Sequence, residues 1–229
     1  VPTVISLRVS VPVLSLQITV VEPSVSTADR RRMIAPRPAI RCMPTASAIV
    51  IATGRPSGTI ETIYGMIVTQ AREPVFYRDL GVLDTVNGRF DLLVLHLWMV
   101  LRRMKSMAAG ADLSQALFDR FCEDMDANLR EMGVGDVTVP KRMRAFGEAF
   151  YGRVAAYDLA SSAGREPLAL ALSKNILNGE HLDKARQLAI YAEGALADLA
   201  ALDEAALLGG SWKFPLPAQT GVQAMDSNR

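Results

Sequence analysis

Cysteine and histidine are nearly missing from this chain of 229 residues: Cys42, Cys122, His96 and His181 are the whole supply, and they stand far apart. A structural zinc site takes about four such ligands, often in close pairs, so the spacing argues against a Cys/His metal centre, and no metal or other cofactor is expected. One cysteine lies in the N-terminal head and the other inside a helical pattern, which gives no disulfide framework and fits a reducing compartment. Long apolar runs are missing too. The stretch Leu92 to Leu101, interrupted by His96, is half of the roughly 20 residues needed to cross a bilayer, so no transmembrane segment is expected. Equally absent are a Gly-x-Gly-x-x-Gly turn, a Walker loop, a His-Glu-x-x-His pair and a Gly-x-Ser-x-Gly elbow. The near match Gly54 to Gly58 has the wrong spacing for an elbow, and triad chemistry would have to recruit His96 or His181 from helical surroundings.

Aromatic residues are absent before Tyr64, whereas seven of the 12 prolines fall within the first 56 positions. Charge divides at the same place: residues 1–59 hold seven Arg against two acids, and residues 60–229 hold 18 basic against 22 acidic residues. Such a head cannot supply an ordinary core, so a single globular body is expected after it. From Val4 to Val21 apolar residues alternate with Ser, Gln and Thr, which is strand periodicity with nothing obvious to pair with. The Arg-rich segment that follows resembles a transit peptide in composition but lacks an amphipathic helix. The expectation is an irregular or disordered extension over 1–58, outside the native protein, with Met33 and Met43 as candidate later starts. A helical domain over 59–208 and a tail over 209–229 complete the division.

The body reads as helix after helix. Ile60, Ile63, Tyr64, Ile67 and Val68 recur at helical spacing, with Ser57 and Thr59 available as caps and Pro74 as the stop. A short helical turn, Val75 to Leu80, ends at Gly81. The next helix, Asn87 to Met107, is apolar nearly all round in its middle and should be central. Asp112 to Gln115 resembles a capping box for a helix to Met132. Pro140 opens a helix carrying Phe146, Phe150, Tyr151, Val154 and Tyr157 on one face, Pro167 opens another, and the last runs from Leu182 to Leu208. Nothing in 60–208 alternates with period two for long. The fold class is therefore all-α, a bundle-like domain of about six helices.

Three constellations carry possible chemistry. Asp119, Glu123, Asp124, Asp126 and Glu131 enrich one helix in acid, and Asp119, Glu123 and Asp126 could hold magnesium against a diphosphate, as in all-α isoprenoid-processing enzymes. Met125 splits the cluster and no second Asp-rich segment faces it, so a solvated helix face interleaved with Arg120 and Arg130 explains it as well. Arg89, His96 and Arg103 lie seven apart, close to one line along the central helix at about 3.6 residues per turn. Unpaired charge in an interior is costly, so either groups of this chain or a partner must cover that stripe. Lys141, Arg142 and Arg144 crowd a helix N-terminus, where the macrodipole disfavours cations by about 0.3–1 kcal/mol each. Glu131, Asp136 and Glu148 are the internal compensators and an anionic partner the external one. No stacking aromatics stand beside them and the body is net acidic, which argues against nucleic acid as the principal ligand.

The run Phe76-Tyr-Arg-Asp-Leu-Gly-Val-Leu-Asp-Thr-Val-Asn-Gly-Arg-Phe90, followed by Leu95-His-Leu-Trp-Met-Val-Leu-Arg102, resembles the ubiquinol–cytochrome c chaperone family. Members carry an Asp-Thr pair, here Asp84-Thr85, shortly before a helix with a Leu-His-x-Trp core. Further matches follow in order: Phe121 to Met125, Arg130 to Gly133, Ala149 to Arg153 with Tyr157-Asp158, and Leu168 to Asn178. They cover about residues 60–205, in a style similar to the bacterial branch, and Leu83 stands where members usually have Pro. The resemblance implies a non-enzymatic assembly factor of the cytochrome bc complex whose partner is newly made cytochrome b or another subunit of that complex. Mitochondrial relatives act with a second small protein and near the ribosome. The implied location is peripheral to the membrane: cytoplasmic in a bacterium, the matrix side of the inner membrane in a mitochondrion. The implied device is an apolar groove with a charged rim. Trp98, Met99, Phe146, Phe150 and Tyr151 are the candidate lining, Arg89, His96, Arg102, Arg103, Lys141, Arg142 and Arg144 the candidate rim, and Asp84 and Thr85 further candidates for contact with the client. A helical interaction module of some other complex is the remaining alternative.

Overall fold

Strand periodicity in the head is realised by two strands rather than one. The computed structural model describes residues 6–11, 14–19 and 57–217, and the chain forms two units, Val1–Ser47 and Ala48–Arg229. In the first, β1 (Ser6–Val11) pairs antiparallel with β2 (Leu14–Thr19), from Ser6 opposite Thr19 to Val11 opposite Leu14. The expected lone strand thus finds its partner in its own continuation. Ser57 and Gly58, the last two residues of the expected extension, belong to the first helix of the second unit, and the rest of it outside the two strands lies beyond the described residues.

The second unit is all-α. Its helices are α1 (Ser57–Ala71), α2 (Pro74–Arg78), α3 (Val86–Met104), α4 (Gly110–Glu131), α5 (Val139–Ala163), α6 (Arg165–Ile176), α7 (Leu182–Ala201) and α8 (Glu204–Gly209). Every residue from Phe90 to Leu101 is buried, as expected of a helix apolar on all sides, and α1, α4, α5, α6 and α7 all pack against α3. An aromatic cluster joins α3, α4 and α5, in which Phe90 stacks on Phe146 at 5.1 Å and Phe118 meets Phe150 at 5.0 Å, and a separate pair, Trp98 and Tyr157 at 5.3 Å, links α3 to α5.

Several helix boundaries depart from expectation. Ser57 and Thr59 lie inside α1 rather than before it. Helix α4 starts at Gly110, not at an Asp112 cap, and Gln115 donates to Asp119 instead of closing a capping box. Its start is set by close approach: a Cβ on Gly110 would lie 2.0 Å from the Met104 carbonyl oxygen. Helix α6 begins at Arg165, leaving Pro167 in the first turn, where its missing N–H costs nothing. The expected helix to Leu208 breaks at Leu202, whose backbone is extended, and Asp203 caps α8 by accepting from the Ala206 N–H at 2.7 Å. Residues 211–217, expected as tail, return to the body. Trp212 and Phe214 are buried, the Trp212 indole donates to the Leu207 carbonyl, and Gln70 Nε2 donates to the Pro215 carbonyl at 3.2 Å.

Candidate functional site

The Asp-Thr pair turns out to be the device that starts α3. Thr85 has extended backbone, and its side chain accepts the Gly88 N–H at 3.1 Å, as an N-cap does. Asp84 accepts from Arg89 Nε at 2.7 Å across this turn, which holds its carboxyl below the usual range. Gly88 is required because a Cβ there would meet the Leu83 carbonyl oxygen at 2.0 Å. Asp84, Thr85 and Arg89 are therefore engaged with each other and with the helix start, although Asp84 and Arg89 remain more than half exposed.

His96 is a core residue, not part of a rim. It is fully buried, with Nδ1 2.7 Å from the Leu92 carbonyl oxygen and Nε2 2.7 Å from the Tyr191 hydroxyl. A carbonyl only accepts, so Nδ1 carries the proton, and Tyr191 donates to Nε2 while accepting from Gln70 Nε2 at 3.2 Å. The chain of bonds ties α1, α3 and α7 to the returning segment, and Phe76 and Phe214 pack on the imidazole in T-shaped contacts. Burial pushes the His96 pKa down to about 4, against a smaller opposite effect of the Leu92 bond. The unfolded ring takes up its proton first. Stability from this group is therefore complete above about pH 6.5 and lost as pH falls toward 4, by on the order of 3 kcal/mol in all. Imidazole ¹⁵N NMR should show a neutral Nδ1–H ring unchanged between about pH 7.5 and 5.5, whereas a protonation midpoint near 6.5 would contradict this placement.

The expected apolar lining is also spent inside the body. Trp98, Met99, Phe146 and Phe150 are all at most 7% exposed, so they form the core and do not line an open groove. Their helical spacing marked a buried face, and sequence alone could not say what faced it. Tyr151 is 38% exposed and packs on Phe118 and Phe150 at the edge of the aromatic cluster. A buried ion pair went unforeseen: Arg153 donates to Asp91 at 2.6 Å, and its guanidinium lies over the Phe90 ring.

An open trough does occur at the C-terminal end of α3. It has a volume of about 420 Å³ and is lined by Arg102, Arg103 and Ser106, by Ser161 of α5, and by Glu193, Leu196, Ala197 and Ala200 of α7. Helices α5 and α7 each pack on α3 and α6, which leaves the space between them. Arg103 closes the end of α7, donating to the carbonyls of Leu199 at 3.0 Å and Leu202 at 2.6 Å, where the macrodipole favours a cation. The three members of the expected basic stripe thus have internal partners of three kinds: a carboxylate for Arg89, a hydroxyl and a carbonyl for His96, and helix-end carbonyls for Arg103. Arg102 is less well satisfied. Its contact to Asp158 is 3.5 Å, while the Trp98 indole N–H donates to the same oxygen at 2.8 Å and Lys105 lies 3.6 Å from the other. Of the expected site residues the trough brings together Arg102 and Arg103. Ser161, Glu193, Leu196, Ala197 and Ala200 carried no sequence signal beyond an Ala-rich helix.

At the start of α5, Arg144 pairs with Glu148 at 3.1 Å, Lys141 is exposed, and Arg142 is half-buried with no protein partner for its Nε. Asp136, an expected compensator, pairs with Arg130 instead. The acids of α4 are dispersed in their bonding. Asp119 accepts from Gln115, Asp124 from the Tyr64 hydroxyl at 2.8 Å, and Asp126 from Arg130 at 2.6 Å. Asp124 is thus part of the α1–α4 contact rather than of a solvated face. No three Asp, Glu, His or Cys side chains among the described residues are grouped as a metal ion requires, which leaves the diphosphate reading without its geometry.

Comparison with known proteins agrees with this architecture. The ubiquinol-cytochrome C chaperone family matches residues 78–214. The chain is 33% identical over 119 residues, 52% of its length and 59% of the relative's, to ubiquinol-cytochrome-c reductase complex assembly factor 1 of Xenopus laevis. It is 28% identical over 152 residues, 62% of this chain and 44% of the relative, to mitochondrial protein CBP3 of Saccharomyces cerevisiae. The chain thus spans about half the length of the curated relatives it matches. The crystal structure of the Cbp3 homolog from Brucella abortus superposes with a TM-score of 0.63 at 37% identity, covering 69% of this chain and 89% of that one. A match across more than half of the sequence, coincident with the helical body and with the capped start and buried histidine of α3, settles the assignment: the chain belongs to the ubiquinol-cytochrome C chaperone family.

Proposed function

We propose that this protein is an assembly factor that holds newly made cytochrome b and promotes formation of the ubiquinol–cytochrome c reductase complex, without itself catalysing a reaction. The observation that carries this reading is the likeness to the Cbp3 homolog of Brucella abortus across 89% of that chain, together with assembly-factor names among its relatives. Physically, an immature membrane subunit presents apolar helices before its partners dock, and a holding protein must bind part of them weakly enough to let go. The trough at the end of α3 has a short apolar floor and a polar rim, which suits reversible binding better than permanent burial. Arg102 and Arg103 are its contributions from the expected rim. Tyr151, Lys141 and Arg144 lie on exposed surface and extend the candidate contact area. A second assembly factor is a further candidate partner. No helix among the described residues is long and apolar enough to cross a membrane, so contact with the membrane-embedded client is proposed to be peripheral, on the cytoplasmic or matrix side. Pulse-labelled cells carrying a tagged copy test this. Labelled cytochrome b should co-isolate with the tag early and disappear from it during the chase, and its absence at all times would refute the proposal.

A further inference from the structure

Arg102 stands on the lip of the trough with its guanidinium over the Trp98 ring at 5.8 Å, a contact that leaves its N–H donors in the guanidinium plane largely unused. Its Asp158 contact of 3.5 Å is well beyond the roughly 2.7–2.9 Å of a good charge-assisted bond, and Trp98 holds the shared oxygen more closely at 2.8 Å. Lys105 approaches the other oxygen at 3.6 Å, so one carboxylate serves two cations and an indole. Glu193, the acid that lines the trough, is already bound by Arg165 at 2.6 Å. Arg103 is committed to the end of α7. What remains at the trough is surplus positive charge presented by one planar fork, the group that matches a carboxylate at two points.

The floor specifies the rest of the occupant. Leu196, Ala197 and Ala200 lie on one face of α7, and two alanines allow another backbone to approach closely. A lipid-facing surface would instead carry large apolar side chains among several free cations. We propose that the trough between α5 and α7 receives an amphipathic helix of a partner protein, whose small or apolar face lies on Ala197 and Ala200 and whose Asp or Glu takes Arg102 in a two-point ion pair. Only the identity of the protein that carries this helix rests on the function proposed above.

The test places a small diazirine amino acid at position Ala197 of the full chain and crosslinks it in cells. The expected adduct is a helix-forming polypeptide segment with an Asp or Glu within about one turn of the attachment point. Its yield should fall about tenfold in Arg102→Glu and in Arg102→Gln, and should recover when the partner's acid is changed to Lys in the Arg102→Glu background. Unchanged thermal unfolding of Arg102→Gln separates loss of binding from loss of fold. Undiminished yield in both Arg102 variants, attachment to lipid, or attachment to a segment without acid overturns the inference. An acidic helix from a protein outside the bc complex would uphold the inference and defeat the proposed function, whereas cytochrome b attached through an acid-free segment would do the reverse.

Discussion

Replacing Arg153 by alanine is expected to cost about 3–5 kcal/mol at pH 7, the loss that follows when one member of a buried ion pair is removed. The pair is 2.6 Å long, and the Arg153 and Asp91 side chains are 9% and 11% exposed. Burial pushes the Asp91 carboxyl up to about 6 while the Arg153 guanidinium holds it down, so without Arg153 it rises further. A carboxyl raised in the fold contributes stability that is present below its unfolded value and lost as pH rises through the folded one. The damage in Arg153→Ala should therefore be smaller at pH 5 than at pH 8. His96 acts in the opposite direction over nearly the same range, so the wild-type pH profile mixes the two and the comparison must be between proteins at each pH. The double variant Asp91→Leu, Arg153→Met should regain most of the loss, because two well-packed apolar residues leave no buried charge. Tyr157 supplies the contrast. Its buried hydroxyl has no protein partner, and Tyr157→Phe should be neutral or mildly stabilising. Urea unfolding of the four proteins at both pH values decides, and equal losses in Arg153→Ala and the double variant would contradict the account.

Gly88→Ala should destabilise by about 2–3 kcal/mol, against the usual sense of that change. Alanine in a helix ordinarily gains up to about 1 kcal/mol over glycine. At Gly88 the added methyl would lie 2.0 Å from the Leu83 carbonyl oxygen, a backbone atom that cannot swing aside, so the cap of α3 must open. The contrast is Gly152 in α5, where nothing stands within 4 Å of an added Cβ, and Gly152→Ala should be neutral to stabilising. Thr85→Ala removes the cap bond alone and should cost about 1 kcal/mol. If Gly88→Ala proved as harmless as Gly152→Ala in thermal unfolding, the helix start would not be the close-packed turn described above.

These two sites mark how far the sequence could be read. Helix α3 was legible because an apolar run with no polar face has only one place to go, and the Asp-Thr pair stood at its start. What that pair does was not legible, since a capping bond and a client contact place the same residue types at the same spacing. The stripe Arg89, His96 and Arg103 is regular in sequence, yet its members end in a surface turn, the core and a helix terminus, because α1, α7 and the returning segment arrive from far along the chain. The same cause hid the break in α7, which Arg103 stabilises from another helix. The Asp91–Arg153 pair spans 62 positions and has no periodic signature. The trough had none at all, since it is a space between α5 and α7 whose floor reads as ordinary alanine-rich helix.

The most direct test of the assembly role is optical. Membranes from a strain lacking this gene should show the b- and c-type absorbance of the bc complex lowered in reduced-minus-oxidised spectra, restored by the wild-type chain. A deletion strain with normal spectra would contradict the role.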